Sequence, residues 1–158
     1  MESNSTIANR FREVIFNGTW IANTNFKDQL TGTSYVVANK KFENLNTVGT
    51  LTQHINYYVK GINNVFSGGT LNIKDKFSFD FSTIKSQTQW DNILDDLWTN
   101  AELFANFVEK LSVEKLSEHF VDEKYGTYYR NIDAMIEHCY YHLGQIVFLM
   151  KLIKNNND

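Results

Sequence analysis

Hydrophobic positions recur along this chain in alternating steps of four and three, the spacing that lines one face of a helix packed against neighbours. The clearest run spans about 89–111, where Trp90, Leu94, Leu97, Ala101, Phe104, Val108 and Leu111 share a stripe. The same step carries Ile132, Ile136, Cys139, Leu143, Ile146, Met150 and Ile153 through about 128–153. A third run begins near Asn46 or Thr47 and places Val48, Leu51, Ile55, Tyr58, Ile62 and Val65 on one face. Asn46 is its expected N-cap, and Gly68-Gly69 its stop. Near the N-terminus the pattern is less regular. Ser5 is the expected cap of a helix reaching about Leu30, with Ile7, Phe11, Val14, Ile15, Ala22 and Phe26 on its apolar face. Gly18 interrupts it at about 1 kcal/mol relative to alanine, which predicts a close helix approach or a bend there.

Between the four runs lie connections over 31–45, 68–86 and 112–127. The second contains the alternating Lys76-Phe77-Ser78-Phe79-Asp80-Phe81, but an isolated strand is marginal without a pairing partner. Its phenylalanines are therefore expected to pack on the rim of the helices. Four amphipathic helices without a convincing sheet predict an all-α four-helix bundle. Connections this long predict at least one crossover. One domain is expected over residues 1–158, with its core at about 5–154 and a fraying polar Asn-Asn-Asn-Asp tail.

Composition narrows the function classes. With 3 Trp, 8 Tyr and 12 Phe among 158 residues, the chain carries ample apolar surface to fold. It has no proline, where average usage of about 5% would place about eight, so nothing of that kind interrupts a long helix. A net charge of -3, with Lys40-Lys41 the nearest approach to a basic cluster, argues against binding nucleic acid through phosphates. No apolar run approaches a membrane span, and the opening Met-Glu-Ser-Asn-Ser does not resemble a signal peptide. Cys139 is the one cysteine and has no partner for an internal disulfide, so a cytoplasmic location is expected.

The histidines carry the candidate chemistry. His138 and His142 stand four apart on the last helix, so both project from one face with Cβ atoms about 5–6 Å apart. His54 lies midway along the second helix among Leu51, Ile55 and Tyr58. One histidine from one helix and a pair from another would supply three neutral ligands to a single ion and leave a coordination position open. Core histidines satisfied by hydrogen bonds would show the same spacing. His119, in the connection before the last helix, reads as a solvated or loop-bracing residue. Cys139 points about 100° from His138 along the packed seam and reads as a small apolar side chain. Tyr58, Tyr141 and Gln145 lie within one turn of the histidines and are candidates to orient a bound water, substrate or imidazole. Glu137 is expected on a solvated or dimer-facing side of the helix, and Asp133 is ambiguous.

The segments Leu51-Thr52-Gln53-His54-Ile55-Asn56-Tyr57-Tyr58 and Ile136-Glu137-His138-Cys139-Tyr140-Tyr141-His142-Leu143-Gly144-Gln145-Ile146 resemble the DinB-like superfamily of small bacterial metalloproteins. Tyr128-Tyr129-Arg130-Asn131-Ile132 and Thr19-Trp20-Ile21 are similar to an uncharacterised subgroup of it, and the likeness covers about 5–154. The resemblance implies a DinB-like four-helix bundle, often a homodimer, with a divalent transition metal (Zn, Ni or Fe) on His54, His138 and His142. Some of its members are thiol transferases or isomerases using bacillithiol, mycothiol or glutathione, so a small thiol and an electrophilic small molecule are the implied partners. A metal-dependent hydrolase and a non-enzymatic interaction bundle are the alternatives. Trp20 and Tyr129 are the candidates for a dimer contact.

Overall fold

The computed structural model describes residues 3–155, and these form helices, turns and loops with no strand among them. The last three residues of the polar tail lie outside the described residues. Three long helices follow the hydrophobic stripes closely. Helix α4 (Val48–Phe66) is capped by Thr47, whose side chain accepts from the Thr50 N–H, rather than by Asn46. Helix α5 (Gln87–Lys110) is capped by Ser86, and α7 (Tyr128–Asn155) runs to the end of the described chain. Their expected apolar faces are buried except at Tyr58, Leu111 and Met150, which are partly covered.

The N-terminal region differs from the expected long helix. Helix α1 (Asn4–Arg12) is capped by Ser3 instead of Ser5 and widens into a π-helical turn, Glu13–Asn17. The helical path ends at Gly18, where the predicted bend occurs. A Cβ at this position would sit 2.4 Å from Glu13 Cβ and 2.8 Å from its carbonyl oxygen, so the reversal admits only glycine without movement. Asn25 then caps the short α2 (Phe26–Leu30), and its Nδ2 reaches back to the Gly18 carbonyl at 3.3 Å. Local hydrogen bonding of this kind competes with helix continuation. Ala22, expected on the buried face, is consequently exposed, while Phe26 and Leu30 re-enter the core.

Helix α5 packs against both α1 and α4, and both of those also contact α7. Phe11 and Phe104 meet with ring centroids 4.4 Å apart, and Trp90 is fully buried with its Nε1–H donated to Thr33 Oγ1. Arg12 ties α1 to α5 through Glu102 at 2.8 Å and Glu109 at 2.6 Å.

The connections are more ordered than bare loops. The first contains α3 (Tyr35–Ala38), and the third contains α6 (Val113–Ser117), a 3-10 turn at Glu123–Tyr125 and a bridge pairing His119 with Thr127. The His119 side chain is exposed and its backbone takes part in that bridge, so the residue is both solvated and part of the loop's pairing. The second connection turns once at Asp75–Phe77 and lies along α4. Tyr57 Oη accepts from the Lys74 N–H at 2.8 Å, and Gly61 lets Ile73 approach so closely that a Cβ there would lie 2.5 Å from Ile73 Cγ2.

Candidate metal centre

Helices α4 and α7 bring His54, His138 and His142 together. Their candidate ligand atoms all lie within 4.8 Å of one another. His138 Nε2 is 3.1 Å from His54 Nε2 and 2.8 Å from His142 Nε2. The ring planes are steeply inclined, at 83° between His54 and His138 and 67° between His138 and His142, so the rings meet edge to face around His138.

The far nitrogens determine which face each ring presents. His54 Nδ1 is 2.8 Å from the Ser78 carbonyl, which can only accept, so the proton belongs on Nδ1 and the Nε2 lone pair faces inward. His142 Nδ1 likewise donates to Gln145 Oε1 at 2.8 Å. Two lone pairs are therefore aimed at His138 Nε2 and the space beside it. A proton on His138 Nε2 can serve that space only in part, whereas a cation accepts all three nitrogens. Donors about 2.0–2.1 Å from one ion stand about 2.9 Å apart at a right angle and about 3.3 Å apart at a tetrahedral one. The two separations from His138 Nε2, 3.1 and 2.8 Å, lie close to that range.

Burial sets the charge state. His54 and His142 are buried and His138 is half-buried. Burial pushes His138 down to about 4, helped by the neighbouring His142 and His54. His54 is lowered by burial against the opposing hydrogen bond to Ser78, and His142 by burial against that to Gln145. All three are neutral at pH 7, the form that binds metals.

The surroundings come from the second connection as much as from the helices. Phe79 stacks on His54 with centroids 3.9 Å apart and planes 11° apart. Tyr58 lies edge-on to both His54 and His138 at 5.1 Å, and its hydroxyl is donated to Asp75 Oδ1 at 2.8 Å. That hydroxyl braces the segment over the histidines. Tyr141 stands 4.9 Å from His142, ring to ring, on the exposed side of α7. Gln145 orients an imidazole, accepting from His142 Nδ1.

The remaining candidates fall away from the centre. Cys139 is fully buried in the apolar seam, and burial pushes its thiol far up, so it stays protonated. Glu137 is exposed and paired with Arg130 at 3.0 Å, while Asp133 pairs with Arg10 at 3.1 Å. Trp20 is 92% exposed on the turn after Gly18, and Tyr129 is partly packed against the core. Ser78, Phe79 and Asp75 are the site residues that sequence reasoning missed. Their one signal is the phenylalanine alternation around Ser78, which marks a segment that must cover something.

No helix among the described residues is long and apolar enough to cross a membrane. No family model, curated protein or solved structure matches this chain.

Proposed function

We propose that this chain is a divalent-metal-binding protein with a DinB-like four-helix bundle, in which His54, His138 and His142 hold Zn, Ni or Fe. We further propose that it transfers a small external thiol to an electrophile. The observation that carries the metal reading is that His54 Nε2 and His142 Nε2 both lie within 3.1 Å of His138 Nε2, with their far nitrogens donating to Ser78 and Gln145. An all-imidazole donor set suits these metals, and availability selects among them.

A bound ion of this class supplies Lewis acidity that favours the deprotonated form of a coordinated thiol or water. The chain's own residues do the rest. Ser78 and Gln145 hold two rings in the productive tautomer, and Phe79 and Tyr58 shield His54 from solvent. The thiol must come from outside, because the only cysteine is buried and protonated.

Elemental analysis of protein purified without an affinity tag tests the metal reading. The expected result is about one equivalent of a transition metal per chain in wild type and under about a tenth in His138→Ala and His142→Ala. Near-zero metal in wild type overturns it. Incubation with bacillithiol, mycothiol or glutathione and a panel of electrophiles tests the reaction, and absence of any conjugate overturns thiol transfer while leaving the metal reading intact.

A further inference from the structure

A second stripe runs along α7 on the side turned away from the core. Glu137, Tyr141, Gly144, Phe148 and Lys151 follow one another in steps of four and three, so they share one face of the helix. All five are exposed, Tyr141 at 64% and Phe148 at 56%. Exposed aromatic side chains are ordinary by themselves. What sets this face apart is its centre and its two ends.

At the centre is Gly144, which costs the helix interior about 1 kcal/mol relative to alanine. Gly61, the comparable glycine of α4, has a reason inside the chain, because Ile73 occupies the space that a Cβ would take. At Gly144 nothing lies within 4 Å of that space, so the close approach a glycine permits is not used by its own chain. At the ends, Glu137 and Lys151 stand seven residues to either side of Gly144. Along one helix they are about 21 Å apart and do not meet. A second α7 crossing antiparallel at Gly144 sets Glu137 of each copy beside Lys151 of the other. A parallel crossing sets glutamate against glutamate and lysine against lysine.

We propose that a second copy of this chain docks here, with the two α7 helices antiparallel about a two-fold axis beside Gly144. Such an interface is built from one self-complementary patch, and an acid and a base placed symmetrically about a small residue make a patch of that kind. The same register brings Tyr141 of each copy to Phe148 of the other, beside a hollow of about 230 Å³ lined by Leu45, Leu51 and Leu149. Aromatic anchors of this type carry the affinity of an interface. The exposed ion pairs fix register and orientation more than affinity. Glu137 already accepts from Arg130 at 3.0 Å, and a carboxylate has room for a second donor. Trp20, on the turn after Gly18, takes no part. None of the three histidines belongs to this face, so the docking stands apart from the metal reading. Tyr141 nevertheless joins the two, since its ring lies 4.9 Å from that of His142.

Sedimentation of the full chain from about 2 to about 200 µM tests the docking, with a dimer of Kd about 10 µM expected. Gly144→Lys puts two ammonium groups at the axis and is expected to weaken dimerisation at least tenfold. Glu137→Lys and Lys151→Glu are each expected to weaken it about fivefold. The double reversal, Glu137→Lys with Lys151→Glu, is expected to return the Kd to within about twofold of wild type, because it restores both pairs across the axis. Circular dichroism and thermal unfolding verify that each variant folds. A wild-type monomer at the highest concentration overturns the proposal and leaves the face to a different protein. A dimer indifferent to Gly144→Lys overturns it in favour of another face, and a double reversal no tighter than the single ones overturns the antiparallel register.

Discussion

Gln145 shows how much of the centre depends on a single side chain outside the triad. By accepting from His142 Nδ1 it holds that ring with its Nε2 inward. Partners of this type typically contribute 10–100-fold to metal affinity. Gln145→Leu should therefore bind metal about 10–100-fold more weakly in a chelator competition, with its melting temperature nearly unchanged, because the residue is only partly buried. Gln145→Glu, which keeps an acceptor at the same reach, should restore most of the affinity. At this scale the sequence was informative where chemistry follows helical spacing. The His138–His142 pair and Gln145 one turn later could be read from intervals alone. The Ser78 carbonyl could not, because a backbone acceptor carries no residue signature. Nor could the stacking of Phe79 on His54, which depends on the path of a connection without periodicity.

Among the elements, two glycines that look alike in the sequence have different consequences. At Gly18 an added Cβ meets backbone atoms of Glu13, at 2.7 Å from its Cα, and these are held by the π-helical turn. At Gly61 it meets Ile73 at its branch, 2.5 Å from Cγ2 and 3.1 Å from Cγ1, in a connection without regular structure that can shift as a whole. Gly18→Ala should destabilise by about 1–3 kcal/mol in urea unfolding. Gly61→Ala should cost less than Gly18→Ala, since the helix gains about 1 kcal/mol of propensity that partly offsets the displaced isoleucine. The same contrast explains which elements were legible. Helices α4, α5 and α7 have unbroken stripes and hydroxyl caps at their starts, so periodicity located them within a few residues. The first helix stops thirteen residues short of Leu30 because Gly18 and the Asn25 cap, both local hydrogen-bonding effects, override a stripe that still places Phe26 in the core. The absence of proline permits long helices without protecting this one.

Across the whole molecule, the Arg12 clamp joins α1 to α5 over a long stretch of sequence. Its hydrogen bond holds the Glu109 carboxyl below the usual glutamate range. A carboxyl lowered on folding contributes stability above its unfolded value, and that contribution is lost as the pH falls through its folded value. Arg12→Met should therefore melt lower than wild type at pH 7. The gap should close as the pH drops below the ordinary glutamate value of 4.5, which paired thermal scans from pH 7 to pH 3 would measure. A gap that persists unchanged in acid would show that Arg12 acts through packing of its stem. The segment laid along α4 has a consequence of a different kind. Ile73 and Phe81 line a cavity of about 460 Å³ beside α4 and α5, while Ser78 and Phe79, between them in sequence, hold His54. The cavity and the histidine centre therefore share one wall. Any group that fills the cavity and shifts that wall so as to change metal affinity by some factor must itself be held by that same factor more or less tightly when metal is bound. Two faces of one helix would then be linked, each readable through the other.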